Sequence, residues 1–238
     1  MNSKKKSLKN SHLYCVIDKQ TCKTGRISHL ASELSGNNAQ IIQLRDKYSS
    51  KKDILDDAFV LQRLLAKTKS IFIVNDYVDI AYLTGADGVH LGQGDLTVEA
   101  ARKILGKDKI IGLSCHSLRQ AVEAEEQGAD YIGIGPIFPT STKPGYEAVG
   151  LDLLRQCSKK IRIPFFAIGG ITLDNLKSVL KSGAKRVAVC SAVCAAKDPG
   201  QAARSFCKIL HSGIVQARQS RNGIKGTIDG SAGIRKKK

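Results

Sequence analysis

The sequence predicts a single (β/α)8 barrel, and three observations support this fold class. Between residues 13 and 211, eight short apolar runs rich in Ile and Val alternate with longer amphipathic stretches. Near-continuous apolar runs are typical of parallel strands covered on both faces. Eight such repeats in about 200 residues match the minimal size of a (β/α)8 barrel, whereas a doubly wound open sheet of this length usually has fewer strands.

The predicted strands follow one another with a helical segment between each pair. They are residues 13–18 (LYCVID), 40–45 (QIIQLR), 71–76 (IFIVND), 88–92 (GVHLG), 110–114 (IIGLS), 131–135 (YIGIG), 165–170 (FFAIGG) and 186–191 (RVAVCS). The helix over SLRQAVEAEEQG is expected to follow an N-cap at Ser117 and to end at Gly128. By the same signals, further helices are expected to start at Thr97, Thr172 and Pro199.

The composition suits a cytoplasmic globular protein with an aliphatic core. The chain has 238 residues, 42% of them hydrophobic, with no Trp and only 5% aromatic residues. No run approaches the roughly 18 apolar residues of a membrane span, and the apolar block after the basic N-terminus is too short for a signal peptide. The seven cysteines show neither a CxxC pair nor metal-ligand spacing, which indicates reduced thiols.

The net charge of +17 is concentrated at the two ends of the chain, because residues 1–12 and 211–238 together contribute +10. We therefore expect a basic N-terminal tail (1–12), a barrel domain (13–211) and a basic, Gly- and Ser-containing C-terminal tail (212–238), with both tails disordered. A weak electrostatic anchor to RNA or another polyanion is the alternative role for the tails. The tails lack aromatic residues that could stack on bases, so no specific nucleic-acid partner is expected.

Polar residues and glycines gather where the predicted strands end. In a (β/α)8 barrel the carboxyl ends of the strands form the face that carries chemistry. The residues at these ends are Asp18; Gln43, Arg45 and Lys47; Asn75 and Asp76; Gln93 and Asp95; Ser114; Thr140, Ser141, Thr142 and Lys143; Gly169 and Gly170; and Cys190 and Ser191. One ring of such residues predicts a single site.

The charges of this ring indicate phosphorylated ligands. Asp76 and Asp95 could form salt bridges with the basic residues, or they could bind Mg²⁺ together with phosphate oxygens of a substrate. Arg and Lys side chains would share the remaining charge of a diphosphate. The Gly169–Gly170 pair precedes a helical segment and could hold a second phosphate through backbone N–H groups. Two histidines lie near the ring: His90 is expected to pack in the fourth strand, and His116 is expected at the start of the fifth helix.

Several blocks, in this order, resemble the thiamine-phosphate synthase family: QLRDK (43–47), VNDYVDIAYLTGADGVHLGQGDL (74–96), IGLSCHS (111–117), GADYIGIGPIFPTSTKPG (128–145) and AIGGIT (167–172). The resemblance covers residues 13–210 and omits both tails. It implies a cytoplasmic transferase, acting on small phosphorylated substrates, that joins 4-amino-2-methyl-5-(diphosphooxymethyl)pyrimidine to a thiazole phosphate, or to its carboxylated precursor, and releases diphosphate. An oligomer of identical subunits is compatible with it.

The resemblance also implies roles for individual residues. The pyrimidine diphosphate would be held by Gln43, Arg45, Lys47, Asn75, Ser114 and Lys143. The thiazole phosphate would be held by Thr140, Ser141, Thr142, Gly170, Cys190 and Ser191. Asp76 and Asp95 would bind Mg²⁺. The residues closest to the chemistry would be Lys143, Arg45, Lys47 and Ser114. The loop 140–143 would then stand between the two substrates.

The chain departs from the family pattern at a few positions. Tyr77 stands where the family commonly has Arg, and Gly94 where it commonly has an acidic residue. Cys190 replaces a more usual aliphatic residue, and we expect little effect because its role would run through the backbone.

Two rival functions remain open at this point. A thiazole tautomerase, a related barrel, would need the phosphate site and an acid–base group, for which His116 is the only tempting candidate, but it would not need the metal and diphosphate set. A non-catalytic barrel that binds RNA through its basic tails is a rival of another class.

Overall fold

The computed structural model describes residues 3–22, 27–140, 145 and 147–228, with side chains described as far as residue 213. Eight parallel strands pair in chain order and close into one barrel, in which β1 also pairs with β8. The strands are β1 (Leu13–Asp18), β2 (Ile41–Arg45), β3 (Ile71–Asn75), β4 (Gly88–Leu91), β5 (Ile110–Cys115), β6 (Tyr131–Ile134), β7 (Phe165–Ile168) and β8 (Val187–Val189). The predicted fold class and all eight predicted strands are confirmed.

Helices connect the strands on the outside of the barrel. They are α1 (Ser3–Lys9), α2 (Ile27–Gly36), α3 (Lys51–Leu65), α4 (Val78–Thr84), α5 (Val98–Leu105), α6 (Leu118–Glu126), α7 (Gly150–Lys160), α8 (Leu176–Lys181), α9 (Ser191–Cys194) and α10 (Pro199–Ile228). None of these described helices is long and apolar enough to cross a membrane.

The predicted helix starts are confirmed where a side chain caps the first turn. The Thr97 hydroxyl accepts from the backbone N–H of Ala100, and the Ser117 hydroxyl accepts from that of Gln120. The predicted start at Thr172 is wrong, because residues 172–175 form a turn and α8 begins four residues later. In that turn the Asn175 side chain accepts from the Thr172 N–H (2.9 Å), and the Leu176 N–H donates to the Thr172 carbonyl oxygen (3.0 Å).

The strands are buried on both faces, which explains their near-continuous apolar sequence. Inside the barrel a compact cluster is formed by Tyr14, Val16, Ile41, Ile71, Ile73, Ile110, Tyr131, Phe166 and Ala188. A second, larger cluster joins the outward-facing strand residues to the helices, and Phe72 and Phe206 are its bulkiest buried members. The interior of the barrel is therefore a packed core rather than an open channel.

The N-terminal segment differs from the prediction of a disordered tail, because residues 3–9 form helix α1. Leu8 is only 2% exposed and packs with the inner cluster, at the end of the barrel where the strands begin. Lys4 pairs with Asp87 (Nζ–Oδ2 3.0 Å) and Lys5 with Asp130 (Nζ–Oδ1 2.8 Å). Burial of one apolar side chain and two ion pairs thus attach a segment whose composition alone indicated a solvated tail.

At the other end of the chain, the predicted boundary at residue 211 falls inside α10, which continues to Ile228. Residues 229–238, which carry the last basic cluster of the predicted C-terminal tail, lie outside the described residues.

Candidate active site

One cavity opens where the strands end, on the face predicted to carry chemistry. Eight of the predicted site residues line it: Gln43, Arg45, Asn75, Ser114, Thr140, Gly170, Cys190 and Ser191. Lys47, Asp76 and Asp95 do not line the cavity and form a separate group, although Asp76 directly follows the lining residue Asn75. Ser141, Thr142 and Lys143 lie outside the described residues, so their predicted roles stay predictions.

Arg45 is fixed by a buried carboxylate from the neighbouring strand. Its guanidinium forms an ion pair with Asp18, whose side chain is only 4% exposed. The second carboxylate oxygen of Asp18 accepts from the backbone N–H (3.0 Å) and the hydroxyl (2.9 Å) of Thr21. The Nε atom of Arg45 is buried and has no hydrogen-bond partner within the described part of the chain. A preoriented cation with a spare donor therefore stands at the cavity wall.

The carboxylates of Asp76 and Asp95 and the ammonium of Lys47 form a cluster that we call the acidic group. The Lys47 ammonium pairs with Asp76, and the carboxylates of Asp76 and Asp95 interact directly. Burial, and then the hydrogen bond and charge of Asp95, raise the pKa of Asp76 despite the neighbouring lysine. For Asp95 burial acts in the same upward direction, but the hydrogen bonds from Asp76 and the Gly92 N–H and the charge of Lys47 outweigh it and lower its pKa.

The backbone of Asp76 holds this carboxylate in place. Its φ of 63° lies in the left-handed region, which Asp adopts more readily than most residues. Its N–H donates to the His90 carbonyl oxygen (2.8 Å), so the end of β3 is tied to β4. Asp95 is fixed in turn by the Gly92 N–H, which donates to its Oδ2 (2.6 Å). The two carboxylates are thus brought together by two separate strand ends.

A chain of five polar side chains, which we call the floor chain, crosses the bottom of the cavity. The Gln43 amide donates to the Tyr14 hydroxyl (2.6 Å), which bonds to the Tyr131 hydroxyl (2.9 Å). Tyr131 contacts Nδ1 of His90 (3.0 Å), and Nε2 of His90 contacts Ser114 Oγ (2.9 Å). Burial raises the pKa of both tyrosines above its ordinary value, so both hydroxyls remain neutral donors.

The donors and acceptors of the floor chain can be assigned in order by starting from the Gln43 amide, which donates to the Tyr14 hydroxyl. Each hydroxyl carries one hydrogen, so Tyr14 then donates to Tyr131 and Tyr131 to Nδ1 of His90. The imidazole in turn donates from Nε2 to Ser114 Oγ. In this order the hydroxyl hydrogen of Ser114 is not used within the floor chain and can bind an acceptor atom of a ligand in the cavity.

The sequence did not reveal Tyr14 and Tyr131 as site residues, nor did it reveal that His90 connects Tyr131 to Ser114. His90 does pack in β4, stacked on the Tyr131 ring with centroids 5.5 Å apart, but it also joins that ring to Ser114. One sequence signal could have revealed Tyr131, namely the glycine inside strand β5. A Cβ on Gly112 would lie 2.1 Å from Cζ of Tyr131, so the missing side chain makes room for the tyrosine.

The opposite wall of the cavity is made of two loops in close contact. Gly169 and Gly170 have positive φ angles (97° and 62°), and a Cβ on Gly170 would lie 2.6 Å from the Pro139 carbonyl oxygen. The Phe138 N–H donates to the Gly169 carbonyl oxygen (3.1 Å), and the Asn175 amide donates to that of Gly170 (2.8 Å). The loop after β6 is therefore attached to the glycine pair as far as residue 140.

The donor set of the acidic group fits a divalent cation of the Mg²⁺ type. Mg²⁺ is usually bound by one or two carboxylates, with water and substrate phosphate completing its shell. Asp76 and Asp95 supply two carboxylates that interact directly. Within the described ranges no group of three or more His, Cys, Asp or Glu side chains could hold a metal ion by itself.

Comparison with known proteins identifies the family. The family model for thiamine monophosphate synthase matches residues 13–193. A thiamine-phosphate synthase from Halalkalibacterium halodurans is 42% identical over 204 residues, covering 85% of this chain and 97% of the relative. One from Synechococcus sp. is 46% identical over 174 residues, or 73% of this chain, and there the chain spans only about half (49%) of the relative.

A solved structure agrees with the sequence relatives. The thiamine phosphate pyrophosphorylase from Pyrococcus furiosus superposes with a TM-score of 0.79 at 35% identity, covering 87% of this chain and 98% of that one. The match spans the barrel that carries the cavity, and the family match includes every predicted site residue. The chain belongs to the thiamine-phosphate synthase family of transferases.

Proposed function

We propose that this chain joins 4-amino-2-methyl-5-(diphosphooxymethyl)pyrimidine to a thiazole phosphate, or to its carboxylated precursor, and that it releases diphosphate. The observation that carries the proposal is the placement of Arg45 and Lys47, each paired with a carboxylate, next to a cavity whose floor is polar but neutral. A diphosphate would lie against the charged rim, and an uncharged heterocycle would lie on the floor.

At the rim, Arg45 would bind diphosphate oxygens through its guanidinium fork, while Lys47 would act as a point charge. Asn75, which lines the cavity, would donate from its amide. Lys143, which lies outside the described residues, would complete the cation set. Positive charge held in place before reaction stabilises the negative charge that develops on a leaving diphosphate.

On the floor, Gln43 and Ser114 stand at the two ends of the floor chain and would orient the aminopyrimidine. The floor chain from Gln43 to Ser114 consists of an amide, two phenols, an imidazole and a hydroxyl, and it contains no carboxylate, lysine or arginine. A neutral floor suits an electrophile that becomes cationic, because no fixed positive charge opposes it there. The floor would thus orient the pyrimidine without forming an ion pair that stabilises the bound substrate before it reacts.

The thiazole phosphate would lie on the opposite wall. Thr140 and Gly170 line that side of the cavity together with Cys190 and Ser191 at the end of β8. Backbone N–H groups of the last three residues, with the hydroxyls of Thr140, Ser141 and Thr142, are donors of the kind that hold a phosphate. This arrangement would place the thiazole ring between its phosphate and the pyrimidine.

Mg²⁺ would be held by Asp76 and Asp95 with oxygens of the substrate diphosphate. When bound there, the metal ion would neutralise charge on the leaving diphosphate. Lys47, already paired with Asp76, would then contact the same diphosphate from the other side.

The reaction we propose is a dissociative substitution. The bond between the methylene carbon and the diphosphate oxygen breaks, both electrons leave with the diphosphate, and the amino-substituted pyrimidine delocalises the positive charge. The thiazole nitrogen then donates its electron pair to the methylene carbon. With the thiazole phosphate no proton transfer is required, so the residues act by charge and by holding the two rings in contact. With the carboxylated precursor, the bond from the ring carbon to the carboxylate also breaks, CO2 leaves, and the ring carbon takes up one proton from solvent.

The test is formation of thiamine phosphate from the two phosphorylated substrates, with and without Mg²⁺, by wild type, Lys143→Ala and Asp76→Ala. We expect metal-dependent product and a loss of about 10²-fold or more in both variants, because each removes transition-state charge stabilisation. The matched controls Lys67→Ala and Asp79→Ala change an exposed lysine and an exposed aspartate outside the cavity and should retain activity.

No product from folded protein with either thiazole would refute the proposal. Tautomerisation of the thiazole carboxylate phosphate, the reaction of the rival barrel, would then be assayed with His116→Ala. The His116 Nδ1 atom contacts the Gly135 carbonyl oxygen, which occupies one of the two ring nitrogens that an acid–base role would use.

A further inference from the structure

Three cysteines from separate parts of the chain meet beside the cavity. Cys22 follows β1, Cys190 follows β8, and Cys194 ends α9. The thiol of Cys194 interacts with those of both Cys190 and Cys22. All three are free thiols, and we call this group the thiol cluster.

Only one member of the thiol cluster borders the cavity. Cys190 lines it and is partly exposed, whereas Cys22 (8% exposed) and Cys194 (1% exposed) are buried behind it. The Cys194 sulfur also lies 3.0 Å from the Val16 carbonyl oxygen, which fixes it against β1. A small reagent in the cavity therefore reaches Cys190 first and finds Cys194 directly behind it.

The surroundings of Cys190 favour its thiolate. The adjacent Cys194 thiol has the largest effect and lowers the pKa of Cys190, and the Thr21 hydroxyl and the Arg45 charge act in the same direction. Burial and the Asp18 carboxylate oppose this shift without reversing it.

Three cysteines elsewhere show the opposite behaviour. Burial raises the pKa of Cys115 to about 12, and it raises those of Cys157 and Cys207 to about 11. Because the thiolate is the reactive form, these thiols should react more slowly than Cys190.

We propose that Cys190 is an oxidation site and that Cys194 is its resolving partner, so that a peroxide converts the two thiols into a disulfide. The Cys190 thiolate attacks one oxygen of hydrogen peroxide, which breaks the O–O bond, releases hydroxide and leaves a sulfenic acid. The Cys194 sulfur then attacks the Cys190 sulfur and loses its proton, and the hydroxyl group leaves as water. In total, two thiols and one peroxide give one disulfide and two waters.

Closing this bond acts on the backbone at the strand end. Cys190 precedes α9 with a φ of −120° and a ψ of −89°, and a disulfide needs Cβ atoms about 3.5–4.5 Å apart. The Cys190 carbonyl oxygen accepts from the N–H groups of Val193 (3.0 Å) and Cys194 (2.8 Å), so a bond to Cys194 would act directly on this turn. We expect it to displace the backbone of Cys190 and Ser191.

The effect on catalysis rests on the proposed function, in which this backbone holds the thiazole phosphate. A displacement of about 1 Å in a substrate-positioning group can cost up to about 10²-fold in rate. We expect the disulfide to lower kcat/KM for the thiazole phosphate at least about tenfold, and we expect a thiol reductant to restore it.

The first experiment measures chemistry alone, on the full chain. Native wild-type protein is labelled briefly with iodoacetamide and mapped by mass spectrometry, and Cys190 should be labelled at least about tenfold faster than Cys207. After treatment with hydrogen peroxide, the peptide holding residues 190 and 194 should lose two hydrogens. Equal labelling of the two cysteines, or a disulfide that leaves Cys190 reduced, would overturn the proposal.

Two variants separate the roles of the cysteines. In Cys194→Ala, peroxide should leave Cys190 as a sulfenic or higher acid without an internal disulfide. Cys207→Ala, a matched loss of one thiol far from the cluster, should form the disulfide as wild type does. A disulfide at Cys190 in both variants would show that Cys194 is not the partner.

The activity arm separates the two proposals. Disulfide formation with a reversible loss of activity supports both the oxidation site and its position beside the substrate. If the disulfide forms and kcat/KM for the thiazole phosphate is unchanged, the proposed loss of activity on oxidation is refuted. The backbone of Cys190 and Ser191 then does not hold the thiazole phosphate. A protein that makes no thiamine phosphate even when fully reduced would refute the proposed function, while the labelling result would still decide the oxidation site.

Discussion

Replacing Tyr131 by Phe tests the floor chain directly, because it removes one oxygen atom and keeps the ring. The lost hydroxyl makes two hydrogen bonds, to Tyr14 (2.9 Å) and to His90 (3.0 Å). Each is worth about 1 kcal/mol net, and a buried hydroxyl left without its partner costs about 1–3 kcal/mol more. Tyr14 is only 2% exposed, so we expect the free energy of unfolding to fall by about 3–5 kcal/mol in total.

The assay is equilibrium unfolding of the full chain in urea, with Tyr82→Phe as the control because that side chain is 63% exposed. The Tyr14→Phe and Tyr131→Phe double variant should lose less than the sum of the single variants, since both partners of one bond are then removed together. A loss below about 0.5 kcal/mol for Tyr131→Phe, or strictly additive effects, would refute the reasoning.

Three further predictions follow from contacts at the site. Gly112→Ala should lower the free energy of unfolding by about 1–3 kcal/mol in urea because its Cβ would meet the Tyr131 ring, whereas Gly94→Ala, with nothing within 4 Å, should change it little. Asp18→Ala should cost about 3–5 kcal/mol in the same assay, and should reduce thiamine phosphate formation, because it leaves the Arg45 charge unpaired. Above pH about 10, wild type should lose stability with rising pH more steeply than the double tyrosine variant, measured by urea midpoints, because the buried tyrosines keep their protons in the folded state after the unfolded chain has lost them.

Local sequence signals determined much of this protein. Each strand is a short apolar run covered on both sides, so its position could be predicted without knowing its neighbours. The caps at Thr97 and Ser117 were readable because a hydroxyl there bonds within its own first turn. The ring of polar residues followed from the fold itself, since parallel strands bring all their carboxyl ends to one face.

The tertiary structure decided which residues that are distant in sequence contact one another. Tyr14 and Tyr131 share a hydrogen bond across 117 positions of sequence, and in the sequence each reads only as a strand residue. The thiol cluster likewise joins Cys22 to the end of β8, and no spacing between the cysteines indicates this. Leu8 became part of the core because one apolar side chain fitted the open end of the barrel, although the lysines around it indicated a solvated tail. Periodicity and capping act within one turn or one strand, so the sequence reveals them, whereas these contacts depend on where the closed barrel places each side chain.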